Sequence, residues 1–280
     1  MKLPGRRILV TGGARGMGLE IARLAVARGA HPAIWDIDPE ALIEAERTLR
    51  GAAREPDQQV AADQVDVGDR AAVAAAAGRL EAGFGPVDIL VNNAGVVSGS
   101  RIADLAPEAV ERTLRVNTLA LFWTTRAFLP GMVRRGEGRI VTMASAGGLV
   151  GVPGLSDYCA SKFAAVGFHE SLRAELREAA PGVGTTLVCP FFVNTGMFAG
   201  VRTRFPFLLP ILDPQRVAAR VVRAIERDRL NVTVPAFVHS LKLIRLLPTA
   251  LLDPIASFFG IHAAMDHFSG RPRGRQETGA

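Results

Sequence analysis

One tyrosine, three lysines, two cysteines and two tryptophans are all that these 280 residues contain of those types. Two cysteines, Cys159 and Cys189, are too few for a disulfide framework or a metal site, so neither a stapled scaffold nor a metal module is expected. The apolar stretches are broken by Gly, Pro and Arg before any reaches the length of a membrane-spanning helix, about 18 residues or more. Met1-Lys2-Leu3-Pro4-Gly5-Arg6-Arg7 leads straight into a strand-like run without the pattern of a secretory signal, so a reducing, cytoplasmic compartment is the expectation. The net charge of +6 comes almost wholly from arginine. Those arginines are scattered through helical segments rather than interleaved with aromatics, which argues against nucleic acid as a partner.

The scarcity sharpens what is present. The lone tyrosine stands four residues before a lysine in Tyr158-Cys159-Ala160-Ser161-Lys162. Three lysines in a chain of this length make that offset a roughly one-in-a-hundred coincidence. On a helix the two side chains share a face one turn apart. An ammonium held beside a phenol favours the phenolate, so the expectation is a phenol pKa drawn down toward a range useful for proton transfer. Cys159, inside the segment, is expected to pack rather than react.

Hydrophobic residues make up 49% of the chain, enough for a substantial core at this length. Apolar runs at 8–11, 33–36, 59–65, 87–91, 139–143 and 185–188 read as strands. Helical patterns at 16–28, 39–49, 69–82, 107–135 and 157–179 alternate with them. That alternation predicts an α/β fold: a Rossmann-like, doubly wound parallel sheet with ligands at the carboxyl ends of its strands. No linker divides the chain, so the expectation is one domain over 1–235, an apolar helical extension over 236–268 and a disordered basic tail over 269–280. The extension, interrupted by Lys242, Arg245, Pro248, Asp253 and Pro254, is too broken to span a bilayer. It can lie on a membrane surface through 236–261, cover an apolar pocket or close the core.

Chemistry-bearing residues fall at the predicted strand ends. Gly12, Arg15, Gly16, Met17 and Gly18 follow the first strand and open the first helix, where glycines admit a pyrophosphate to the helix N-terminus. Asp36 ends the second strand; a carboxylate there accepts hydrogen bonds from an adenosine ribose and repels a 2′-phosphate. Arg15 pulls toward that phosphate, but a flexible arginine can turn to solvent. NAD is therefore expected over NADP.

With these residues in view the chain resembles the short-chain dehydrogenase/reductase family, in its single-domain branch. The glycine spacing, three residues and then one, is that branch's own. Asp66-Val67 is similar to the family's adenine-contacting pair, and Asn92-Asn93-Ala94-Gly95 to its motif bordering the cofactor. Asn117, Ser145, Tyr158 and Lys162 match its catalytic set, and Pro190, Val193 and Thr195 lie in the loop that holds the nicotinamide carboxamide. Phe191 departs from the pattern, replacing the usual glycine with an aromatic. Trp35-Asp36-Ile37, the run 194–210 and the run 265–270 resemble a subgroup containing retinol, hydroxysteroid and lipid-droplet dehydrogenases.

The resemblance implies a mechanism. Tyr158 serves as general acid/base, Lys162 tunes it and binds the nicotinamide ribose, Ser145 stabilises charge on the substrate oxygen, and Asn117 kinks its helix and positions a water. It also implies a homodimer or homotetramer paired through the long helices. Leu149, Val150, Val152, Leu155, Phe191, Phe192, Met197 and Phe198 form the expected substrate wall, with Phe205, Phe207 and Leu208 as lid candidates. Such a wall suits a lipophilic small molecule: a retinoid, steroid or long-chain alcohol, aldehyde or ketone. The same fold can instead serve as a catalytically idle dinucleotide-binding regulator, for which an intact proton-transfer set has no use. An epimerase or dehydratase of the longer branch is disfavoured by the glycine spacing.

Overall fold

The structure is a computed structural model that describes residues 1–270. Seven strands form one sheet: β1 (Arg7–Thr11), β2 (His31–Asp36), β3 (Ala61–Gln64), β4 (Ile89–Asn92), β5 (Gly138–Met143), β6 (Val183–Pro190) and β7 (Asn231–Val234). Their spatial order is β3-β2-β1-β4-β5-β6-β7, and every pairing is parallel. The helices that return the chain are α1 (Gly16–Val26), α2 (Pro39–Ala52), α3 (Arg70–Phe84), α4 (Pro107–Leu114), α5 (Ala120–Arg135), α6 (Ser156–Ala179) and α7 (Pro214–Glu226). The chain order reverses between β1 and β4, which opens a crevice at the carboxyl ends there.

The period-two alternation of the strands sorts their side chains onto two faces. Ile8, Val10, Ile34, Ile89 and Val91 meet Ile21, Leu42, Leu49, Val217, Val221 and Ile225 of α1, α2 and α7. Leu9, Trp35, Leu90 and Ile140 meet Val73, Leu80, Phe128, Met132, Leu172 and Leu176 of α3, α5 and α6. Trp35 and Phe128 are fully buried, with ring centroids 5.6 Å apart. Burying a side chain of that size contributes roughly 1.5–3 kcal/mol. The sheet is covered on both sides, as near-continuous apolar strands require.

Asp38, Asp69 and Asp213 accept backbone N–H bonds at the starts of α2, α3 and α7, each such cap contributing about 1 kcal/mol. The single helix expected over 107–135 is two helices joined by a wider π-helical turn, Arg115–Leu119, with Asn117 buried inside it. The strand β7 and helix α7 extend the sheet beyond the elements expected from sequence. Val217, Val221, Val222 and Ile225 carried the helical spacing that marks α7.

Beyond β7, α8 (Ser240–Ile244) and α9 (Thr249–Phe258) follow. Among the described residues no helix is long and apolar enough to cross a membrane. Of the tail expected to be disordered, Ser269 and Gly270 donate to the Ala199 carbonyl, while 271–280 lie outside the described residues.

Candidate active site

A cavity of about 830 Å³ opens over the carboxyl edge of the sheet, and its lining runs from the turn after β1 to helix α9. One end is built from backbone and polar groups. Gly12, Arg15, Gly16 and Met17 line it, and Gly16 holds φ +55°, a conformation glycine adopts without strain. Gly18 lies just inside α1, where a Cβ would stand 2.2 Å from the Gly12 carbonyl oxygen. Only glycine lets the turn fold this tightly onto the helix. The N-cap of α1, Arg15, supplies no side-chain hydrogen bond, unlike the aspartate-capped helices. The first N–H groups of α1 therefore remain available to an anion at the helix's positive end.

The neighbouring strand ends complete this half. The Asn93 amide donates to the Thr11 and Gly12 carbonyls at 2.9 and 3.0 Å, and Thr11 Oγ1 accepts from the backbone of Asn93 and Ala94. These bonds knit the ends of β1 and β4 together at the crevice. Asp36 accepts from Ala14 N at 3.1 Å, Ile37 N at 2.9 Å and Asp38 N at 3.3 Å. Its carboxylate is thereby set at the cavity wall beside Ile37, Asp66 and Val67. Arg15 is tied to Asp38 in an ion pair. An uncapped helix start, a close-folded glycine turn and a carboxylate at the end of β2 fit a dinucleotide: pyrophosphate at α1, adenosine ribose at Asp36.

At the centre stand the proton-transfer candidates. Tyr158 and Lys162 are both buried on one face of α6, with Lys162 Nζ 5.7 Å from the phenol ring centroid. Nζ donates to the Met143 carbonyl at 2.9 Å, which anchors it to the end of β5. Ser145, just past β5, accepts from Gly147 N at 3.1 Å and hydrogen-bonds Tyr158. Burial pushes the Tyr158 phenol above its ordinary value, opposed by the bond with Ser145, and lowers the Lys162 ammonium to about 8. The expectation that Lys162 draws the phenol down is thus not met by the chain's own groups, because desolvation is the larger effect at both residues.

Asn117 does not line the cavity. Its Oδ1 accepts from Val96 N at 2.8 Å, and its Nδ2 donates to Val96 O at 2.9 Å and to Ser161 Oγ at 3.0 Å. It sits in the π-helical turn and ties the segment after β4 to α6. Gly95 and Val96 of that segment do line the cavity.

The far half is apolar. Val150, Val152, Leu155, Phe191, Phe192, Met197 and Phe198 line it, while Pro190 at the end of β6 and Val193 and Thr195 beyond it also line the cavity, Thr195 lying against Gly16 of the glycine turn. Phe198 packs edge-on to Tyr158 at 5.5 Å and to Phe192 at 5.2 Å. Phe191, outside the positive-φ set, turns its ring toward Phe192 and Phe237. Leu149 stands apart from the expected wall, buried instead against Leu121, Ala165 and Leu187. Of the lid candidates Leu208 lines the cavity, whereas Phe205 stacks on Phe258 and Phe259, and Phe207 is fully exposed.

The wall opposite comes from the extension for which covering an apolar pocket was one expected role, although its lining residues were not singled out in the sequence. Phe237, Leu241 and Ile244, then Leu252, Ile255, Ala256 and Phe259, face the cavity from α8, α9 and their flanks. Their offsets of three, four and seven residues were the available signal. Arg112 and Arg115, lining the side near Asp66, carried none.

Known proteins agree with this geometry. Residues 6–204 match the family described as short chain dehydrogenase. Epidermal retinol dehydrogenase 2 of Mus musculus is 38% identical over 273 residues, covering 96% of this chain and 87% of its own. The Homo sapiens protein of the same name is 40% identical over 268 residues, covering 94% and 85%. A Burkholderia phymatum short chain dehydrogenase/reductase solved with NAD superimposes with a TM-score of 0.78 at 28% identity, over 88% of this chain and 95% of its own. A metagenomic short-chain oxidoreductase solved with NADP gives 0.68 at 28% identity, over 83% and 96%. The chain belongs to the short-chain dehydrogenase family and is an NAD(P)-dependent oxidoreductase, with the likeness to retinol dehydrogenases that its motifs implied.

Proposed function

We propose that the protein oxidises a lipophilic alcohol, or reduces the matching carbonyl, with Tyr158 as the general acid/base. One observation carries this reading: a buried phenol bonded to Ser145, with a buried ammonium one helical turn away, at the junction of a polar and an apolar half-cavity. A nicotinamide cofactor, bound through the α1 N-terminus and Asp36, supplies the hydride acceptor or donor and, when oxidised, a positive charge.

The chain's own residues handle the proton. A phenol kept protonated by burial is ready to donate to the oxygen of a carbonyl substrate. In the opposite direction the same oxygen must first lose its proton, and Lys162, titrating at about 8, is the adjacent group able to exchange one near neutral pH. Ser145 donates to the substrate oxygen as charge develops there. Asn117 acts through the Val96 segment and α6, and would hold the ordered water that the family resemblance implies at this residue.

Asp36 supports NAD as the preferred cofactor. Its carboxylate, on the cavity wall at the end of β2, would accept from ribose hydroxyls, and Arg15, the group that could compensate a 2′-phosphate, is engaged by Asp38. The apolar half supports a retinoid, steroid or long-chain substrate, in keeping with relatives named as retinol dehydrogenases. Oligomerisation through the long helices finds support in Leu119, Phe122 and Val133, which are left exposed along α5 and the turn before it.

The outer face of the C-terminal helices supports lipid contact. Helix α9 has no fully buried residue although it is largely apolar, and it presents Leu251 and Phe258 outward while Leu252 and Ala256 face the cavity. Leu243, Leu246 and Leu247 extend that face, and Arg204 and Arg245 flank it with positive charge. An apolar face rimmed by cations suits an anionic lipid surface.

Tyr158→Phe is expected to leave NADH affinity nearly intact while turnover falls by about three orders of magnitude; stopped assays of the variant showing near-normal turnover remove the base assignment. Ser145→Ala deletes a bond that lowers the phenol's pKa, so the rising limb of the oxidation pH profile should move upward by about one unit. With retinol or a long-chain alcohol, kcat/KM should favour NAD over NADP by about tenfold or more, since the Asp36 carboxylate would repel a 2′-phosphate while Arg15 is paired with Asp38. Preference for NADP, or turnover of small polyols alone, overturns those two assignments separately. The protein should cosediment with anionic vesicles, and Leu246→Asp combined with Phe258→Asp should abolish this; undiminished cosedimentation excludes the α8–α9 face.

A further inference from the structure

Asp157 is a buried carboxylate that the chemistry above leaves unused. It is 5% exposed, lies in the first turn of α6 and immediately precedes Tyr158. Its Oδ1 accepts from Ser98 Oγ at 2.8 Å and its Oδ2 from Thr113 Oγ1 at 2.7 Å. Among the described residues no cation forms an ion pair with it. The charge is offset by the two hydroxyls and by the N-terminal end of α6, whose N-cap, Leu155, supplies no side-chain bond.

The two donors come from different parts of the chain. Ser98 belongs to the segment after β4, whose Gly95 and Val96 line the cavity and whose Val97 packs into the cluster with Tyr158, Leu155 and Phe192. Thr113, 1% exposed, sits in the last turn of α4, just before the π-helical turn. Asn117 already joins that turn and Val96 to α6 at Ser161. Asp157 makes a second attachment of the same three parts, one turn nearer the start of α6. Tyr158 stands between the two.

An apolar side chain would fill this space without the cost of burying a charge. What a carboxylate adds is direction: two short hydrogen bonds at fixed angles, each stronger for its charge. We propose that Asp157 is a positioning residue of the active site, locking the Val96–Ser98 wall and the end of α4 to the turn that carries Tyr158. Resting on Tyr158 as the base, the proposal adds a reason for its alignment with the wall it faces. Loosening the lock lets the phenol and a bound alcohol drift apart, and misplacement on the ångström scale is costly in turnover.

Asp157→Asn keeps the shape and puts an amide N–H where one hydroxyl donated. With retinol and NAD as probes, kcat should fall about 10- to 100-fold while NADH affinity stays within about twofold. Thr113→Val, which removes one donor at constant volume, should act in the same direction, and the double variant should lose less than the product of the two single losses. Amide hydrogen exchange at Val96–Ser98 should accelerate by about tenfold or more in each variant. This arm needs no substrate, so it judges the lock even where Tyr158→Phe disproves the base. Turnover within about twofold of the unmodified chain, unchanged exchange at Val96–Ser98, or a parallel loss of turnover, cofactor affinity and thermal stability overturns the proposal.

Discussion

Parallel pairing imposes the geometry from which the rest of this molecule follows. Seven strands running the same way deliver every carboxyl end to one edge, so loops distant in sequence converge there. The glycine turn after β1, Asp36 at the end of β2, Asn93 after β4, Ser145 after β5 and Pro190 at the end of β6 share a cavity for that reason. Helices return the chain along both faces, and the two-residue alternation of the strands supplies each face with its own core. Closing the fold and assembling the site are one event.

Burial is the second governing influence, and it acts against the ionised forms. The phenol of Tyr158 is raised and the ammonium of Lys162 is lowered because both sit away from water. Ser145 partly offsets this at the phenol, and the Met143 carbonyl accepts the hydrogen bond that holds the ammonium in place. At neutral pH this leaves a protonated phenol beside a lysine that is still largely charged. A nicotinamide that alternates between charged and neutral forms is suited to modulate such a pair.

The apolar half of the cavity is built differently from the polar half. Backbone N–H groups and short side chains at strand ends form the cofactor side, positioned by the sheet. The opposite wall comes from α8 and α9, which pack around the opening and contribute little to the central core. That wall is thus built from elements outside the central sheet.

Much of the polar site was legible in sequence because its signals are local. Glycine spacing, a strand-end acid and a tyrosine–lysine pair one turn apart each need only a few neighbouring residues and a known secondary structure. Six of the seven parallel strands were legible too, through apolar runs alternating with helical patterns, whereas the four-residue β7 and the helix α7 before it were not among the expected elements. What only the tertiary structure decided depends on contacts between remote segments. It turned Leu149 into the core and Phe207 to solvent, brought α8 and α9 across the cavity, and set Ser98 and Thr113 on Asp157. The sequence by itself determined which groups were available and the period at which they recur. Depth of burial, which reversed the expected shift of the Tyr158 phenol, came from packing, since desolvation is a property of everything that surrounds a group rather than of its neighbours in the chain.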